Sequence, residues 1–298
     1  MGSNPVLVHY PTHYPAHASQ RALVPTKPLT EYLEAAAKRT PQKLAIVFEG
    51  SQLTYFDLLS RVESLAHHLC DQLQVKRGDR VVLLSQNCPE YIIAFYAIMR
   101  AGAVVVPINP MCKAEEVAFY FEDTGARVAI VARELLPNAT TQNVMVLEET
   151  IALAQAPSFD ALPNHPYVHD LCVLPYTSGT TAHPKGCMHT HATILASLLA
   201  SKEWRKLDEN TVCFCVAPMF HMLGMQNGMN MPLLLGSTLV MMRRWDAGGA
   251  AALIEAHRVT TWTAPPAMLI DFFAHPEAKS RDLSSLKLLT GGGAAMPE

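Results

Sequence analysis

Between residues 80 and 132 the chain alternates short apolar runs with longer helical patterns, and nothing else in it constrains the fold as much. RVVLLSQ (80–86), AVVVPIN (103–109) and RVAIVA (127–132) read as strands, with PEYIIAFYAIMRAG and KAEEVAFYFEDTGA as helices between them. Strand–helix–strand alternation calls for parallel pairing and right-handed crossovers. The expected class is therefore α/β with largely parallel sheets.

The alternation returns further on. TVCFCVAPM, STLVMMRRW, VTTWTAPP and LKLLT read as strands, and DAGGAAALIEAHRV and PAMLIDFFAHPE as helices. Between the two stretches, residues 137–170 are irregular, with only NVMVL (143–147) strand-like. The spacing thus predicts two sequential αβ lobes, the first over residues 21–170 and the second over 171–298, behind an extended tail at 1–20. Before the first alternation, PLTEYLEAAAKRT reads as a helix and KLAIVFEGSQLTY as a hairpin turning at Glu49 and Gly50. Thr54 with Asp57 three residues on is a start signal for a second helix, whose apolar face is Leu58, Val62, Leu65 and Leu69.

Composition excludes several function classes. The formal net charge is −3, with 16% charged residues, which leaves no electrostatic footprint for nucleic acid or an anionic membrane. The apolar run MPLLLGSTLVMM is too short and too glycine-broken to span a bilayer. Seven scattered cysteines without a CxxC pair point to a reduced, cytoplasmic setting, and no metal site is expected. Cys213 and Cys215 alternate on one strand and read as small buried hydrophobes.

The chemistry concentrates in YTSGTTAHPKG, Tyr176 to Gly186, directly after the strand-like LCVLP. Loops leaving strand ends are where parallel sheets bind ligands. Gly179 lets backbone N–H groups approach an anion, and Thr177, Ser178, Thr180 and Thr181 add hydroxyl donors. Lys185 adds a charge worth roughly 4 kcal/mol beside a phosphate oxygen before desolvation. Together they form a polyphosphate cradle. The P-loop pattern is not met, because Lys185 lies between Pro184 and Gly186 and no second glycine has the required spacing.

SGTTAHPKG closely resembles the phosphate-binding signature of the adenylate-forming superfamily, in which Ala182 is ordinarily glycine. Further elements follow in family order: LTYFDL (53–58), AGAVVVPINP (101–110), THATI (190–194), APMFHMLG (217–224) and GGGAAMP (291–297). The resemblance implies that a carboxylate attacks Mg-ATP to give an acyl-adenylate, and that coenzyme A then takes the acyl group. It assigns ATP and phosphate binding to Thr177, Ser178, Gly179, Thr180, Thr181 and Lys185, with Lys185 and Thr181 catalytic. His221 would lie at the acyl carboxylate, with Met222 and Met225 along the chain of the acid. Gly291, Gly292, Gly293, Ala294 and Ala295 would lie against adenine and the acyl carbonyl.

No aspartate follows Phe220, which argues for an acid without an amino group. Met222, Met225 and Met229 recur at helical spacing, an arrangement ordinarily found in a core but also a pliable lining for an alkyl chain. The expected substrate is a medium- or long-chain fatty acid, with an aryl or short-chain acid as the alternative. A non-catalytic nucleotide- or acyl-binding fragment stays open beside both. The chain ends at Glu298, before the family's Mg²⁺-holding glutamate and its small C-terminal domain. It therefore reads as an N-terminal portion that is a poor catalyst alone, with a homodimer left open.

Overall fold

The structure, a computed structural model, describes residues 23–139, 143–150, 162–177 and 184–294. Its first elements form for local reasons. Helix α1 (Leu29–Arg39) buries Leu29, Leu33, Ala36 and Ala37 on one face. Strands β1 (Leu44–Phe48) and β2 (Ser51–Thr54) make the expected hairpin, with φ of 45° at Glu49 and 81° at Gly50. Two positive φ values at a two-residue turn match the twist of the flanking strands. Helix α2 (Tyr55–Asp71) starts on the predicted cap: Asp57 N donates to Thr54 Oγ1 (3.1 Å) and Thr54 N to Asp57 Oδ2 (3.0 Å). Leu58, Val62, Leu65 and Leu69 are all fully buried, each contributing roughly 1.5–3 kcal/mol. The tyrosine of LTYFDL anchors this start, because the buried Tyr55 hydroxyl donates to the Ser237 carbonyl at 2.7 Å.

Two six-stranded sheets follow. The first contains β3 (Arg80–Leu84), β4 (Val104–Ile108), β5 (Val128–Val131), β6 (Asn143–Val146), β7 (Leu171–Val173) and β10 (His189–Thr190), in the order β10-β7-β4-β3-β5-β6. Every pairing in it is parallel except β10 with β7. Helices α3 (Pro89–Arg100) and α4 (Ala114–Thr124) connect its strands, as the alternation predicted. The second sheet runs β14 (Leu288–Gly291), β13 (Thr261–Ala264), β11 (Val212–Cys215), β12 (Thr238–Met241), β1, β2, parallel up to the antiparallel hairpin strand. Helices α6 (Met231–Leu235), α7 (Ala247–Ala256) and α8 (Pro266–Ala274) pack on it, whereas α5 (His191–Arg205) follows β10 and packs against β10 and α1. Strands β8 (Tyr176–Thr177) and β9 (Lys185–Gly186) form a small separate ribbon.

The α/β class with mainly parallel sheets is as expected, but a clean division at residue 170 is not what the strands do. The hairpin β1–β2 belongs to the second sheet, with Ile46 opposite Leu239 and Val47 opposite Val240. Conversely, β7 and β10 complete the first sheet, with Val105 opposite Val173. Each exchange lets an apolar strand gain a parallel partner. The chain therefore crosses between the sheets rather than finishing one before starting the other.

One crossing is held by a histidine. The His191 ring is 1% exposed and its Nδ1 accepts the Leu29 N–H at 3.2 Å, tying α5 to the start of α1. Burial pushes its pKa down to about 4, opposed by Asp170, which Arg77 holds with Nε–Oδ2 at 2.8 Å. Above pH 6.5 the ring is neutral in folded and unfolded chain alike, and this contribution is complete. As pH falls from 6.5 to about 4, the unfolded chain takes up a proton that the folded one refuses, so stability falls, by roughly 3 kcal/mol at most. Urea midpoints measured across that window should drop for the wild type and drop much less for His191→Gln. Parallel curves would remove His191 as the cause.

Candidate functional site

The C-terminal ends of both sheets face one cleft of about 560 Å³. From the first sheet come Pro107 and Asn109 at the end of β4, Glu116 and Tyr120 of α4, and Pro175 just past β7. The ribbon contributes Tyr176, Thr177 and Pro184, and the segment after β11 contributes Phe220, His221 and Met222. Two aromatic rings set one wall, with Tyr176 edge-on to Tyr120 at 4.7 Å between centroids and its hydroxyl bonded to Asp123.

In the ribbon, Thr177 lies opposite Lys185 and Tyr176 opposite Gly186, so the phosphate-loop sequence leaves and re-enters on paired strands. Thr177 and Lys185 are both exposed. Ser178, Gly179, Thr180, Thr181, Ala182 and His183 lie outside the described residues, as does Ala295. Among the described residues no group of three His, Cys, Asp or Glu is placed to hold a metal ion. The described donors, hydroxyl and ammonium, suit phosphate oxygens; Mg²⁺ bound mainly through phosphates and water needs no protein cage.

The PMFHMLG segment is positioned by a residue that motif reading passes over. Asn87, past the end of β3 and 5% exposed, donates from Nδ2 to the Val216 and Ala217 carbonyls (3.3 and 3.1 Å). Its Oδ1 accepts the Met219 N–H at 2.9 Å. One amide thus fastens the end of the first sheet to the turn carrying His221. The only sequence signal was a polar SQN triplet closing an apolar strand. Gly224 must be glycine, since a Cβ there would run into the carbonyl oxygens of Ala217 and Pro218. His221 is exposed to the cleft, and its Nδ1 accepts the Leu223 N–H at 3.3 Å. With Nδ1 an acceptor, the neutral ring carries its proton on Nε2, a donor for an oxygen anion.

The methionines part company here. Met222 lines the cleft, whereas Met225 is fully buried among Met219, Met229 and Met231 in the main core and does not line it. The reason is local geometry: Gly224–Asn230 is a π-helical turn rather than the α-helix that the methionine spacing suggested. It is pinned internally by Asn230 Nδ2 to Gln226 Oε1 (2.9 Å) and by the Tyr96 hydroxyl to Asn230 Oδ1 (3.1 Å). Cys213 and Cys215 are buried thiols that burial pushes up to about 12, in keeping with core packing.

The glycine segment reaches the same region from β14. Gly291, Gly293 and Ala294 are exposed, and a Cβ on Gly292 would stand 2.9 Å from Leu223 Cδ1. Thus Thr177, His221 and Met222 line the cleft, Lys185 opens the strand paired to Thr177, Gly292 reaches Leu223 just behind Met222, and Met225 stands in the core.

Comparison with known proteins gives the same picture. The family profile described as AMP-binding enzyme matches residues 33–298. A long-chain-fatty-acid–CoA ligase of Bacillus subtilis (strain 168) is 29% identical, the match covering 98% of this chain and 59% of that protein. A feruloyl-CoA synthase of Amycolatopsis sp is 33% identical, over 88% of this chain and 53% of that protein. The inhibitor-bound crystal structure of the N-terminal domain of FACL13 from Mycobacterium tuberculosis superposes with a TM-score of 0.82 at 30% identity, covering 91% of this chain and 71% of that one. The chain thus spans little more than half the length of these curated relatives. Among the described residues no helix is long and apolar enough to cross a membrane.

Proposed function

The chain belongs to the AMP-binding enzyme family, and from that premise we propose that it holds ATP and a carboxylic acid for an ATP-dependent acid–thiol ligase. A carboxylate oxygen attacks the α-phosphorus of ATP, the bond to the β-phosphate oxygen breaks, and acyl-adenylate and pyrophosphate form. The thiolate of coenzyme A then displaces AMP. The observation that carries this reading is that Thr177 and Pro184 of the ribbon line the same cleft as His221, with Lys185 paired to Thr177. Lys185 and Thr177 neutralise and orient phosphate oxygens, with Ser178, Gly179, Thr180 and Thr181 completing the cradle. His221 Nε2–H orients the acid. Gly291 to Ala295 let adenine and the acyl carbonyl approach the backbone. Mg²⁺ carried on the nucleotide's phosphates would offset their charge beside Lys185. Catalysis of this kind is mainly positioning and charge stabilisation.

For the acid, an aryl carboxylate is the better reading than a fatty acid. The buried Met225 withdraws the main support for an alkyl channel, and the cleft is walled by Tyr120, Tyr176 and Phe220. The feruloyl-CoA synthase matches at the higher identity, 33% over 88% of this chain against 29% over 98% for the fatty-acid ligase. Thioester formation by the full-length protein should be faster with cinnamates and benzoates than with octanoate or palmitate. The reverse order would return the fatty-acid reading.

A further inference from the structure

The geometry points to a second recognition element behind the glycine segment: Arg205, set among Asn227, Thr263 and Thr290, receives an anionic group at the far end of the activated acid, so the substrate carries a second carboxylate. This rests on the ligase reading above and names the class of acid.

Arg205 is the last residue of α5, and its side chain turns into the protein. Nη2 donates to Asn227 Oδ1 at 2.5 Å and Nη1 to Thr263 Oγ1 at 3.2 Å. Thr263 in turn shares a hydrogen bond of 2.8 Å with Thr290 across β13 and β14. All these partners are neutral. Among the described residues no carboxylate pairs with this guanidinium, and burial works against its charge, opposed only by the Cys213 thiol. A guanidinium has five donors in a planar fork that matches a carboxylate, and the neutral partners occupy only its terminal nitrogens.

The arginine is continuous with the acid-holding residues. Thr290 lies two positions before Gly292, which abuts Leu223. The Leu223 carbonyl accepts from Asn227 Nδ2 at 3.5 Å, and its N–H donates to His221. An unbroken line of contacts therefore runs from His221 to Arg205. The alternative role, a cation closing the end of α5, is already filled. Lys206 N–H and Leu207 N–H bond the Glu203 and Lys202 carbonyls, whereas the Arg205 side chain bonds other elements.

The test uses the full-length protein and acids in matched pairs, 4-carboxycinnamate against 4-methylcinnamate and terephthalate against 4-methylbenzoate. Acid-dependent exchange of pyrophosphate into ATP is measured for wild type, Arg205→Met and Arg205→Lys. The wild type should favour the dicarboxylate of each pair by about tenfold or more in kcat/KM. Arg205→Met should lower kcat/KM for dicarboxylates about 30-fold while changing the methyl analogues less than about threefold, and Arg205→Lys should fall between. Turnover of the methyl analogues without preference for a second carboxylate overturns this inference and leaves the ligase reading standing. Equal loss on both members of a pair makes Arg205 a structural residue and also overturns it. If Arg205→Met does not fold, the wild-type preference together with Arg205→Lys decides. Absence of exchange with every acid overturns both readings.

Discussion

Replacing Arg100 with methionine is expected to destabilise the fold by about 3–5 kcal/mol, the usual cost of removing one partner from a buried ion pair. Arg100 Nε lies 2.7 Å from Glu63 Oε1 and 3.5 Å from Glu34 Oε1, with the three side chains 12%, 3% and 20% exposed. They join α3, which packs on the first sheet, to α2 and α1. Without the guanidinium, two carboxylates face each other under cover. Burial already raises the Glu34 pKa, opposed by Arg100. A group whose folded pKa is raised favours the fold when protonated, so the deficit of the variant should shrink as pH falls into the carboxylate range. Arg100→Met combined with Glu63→Met should recover part of the loss, because it removes the more deeply buried carboxylate and leaves only Glu34, which is 20% exposed with Lys38 at 4.0 Å. Urea denaturation of the single and double variants checks this. A single-variant loss below about 1 kcal/mol would mean that the pair is effectively solvated.

How far the sequence discloses this molecule depends on how local each cause is. The Thr54–Asp57 cap, the Glu49–Gly50 turn and the strands of 80–132 are decided by neighbours within a few residues, and all are legible. The placement of β1 is not, since its partner Leu239 lies almost two hundred residues away and parallel pairing leaves no local mark. The π-helical turn at Gly224–Asn230 is hidden because methionines at α-helical spacing imitate an α-helix. Its cause is the internal bonding of Gln226, Asn230 and Tyr96, which only the folded chain brings together. Beside the cleft, Gly224 and His221 stand in a recognisable motif because each serves a contact within its own segment. Asn87 and Arg205 act across elements, and as single polar residues in ordinary surroundings they carry no pattern.

Lys185→Ala is expected to reduce acid-dependent exchange of pyrophosphate into ATP about 10²- to 10³-fold, the range for losing one preorganised donor to a developing charge. The fold should be unaffected, because Lys185 is exposed and its ribbon pairing to Thr177 uses the backbone. The urea midpoint should therefore stay where it is while exchange collapses. Loss of both together would make Lys185 structural.

That exchange assay also tests the central claim most directly. Full-length protein is incubated with ATP, labelled pyrophosphate and an aryl carboxylic acid, and label is followed into ATP before any thiol is added. Reversible acyl-adenylate formation at the cleft predicts label in ATP only when the acid is present, and its near-disappearance in Lys185→Ala. Exchange that needs no acid, or that no carboxylic acid supports in a folded protein, would contradict the account.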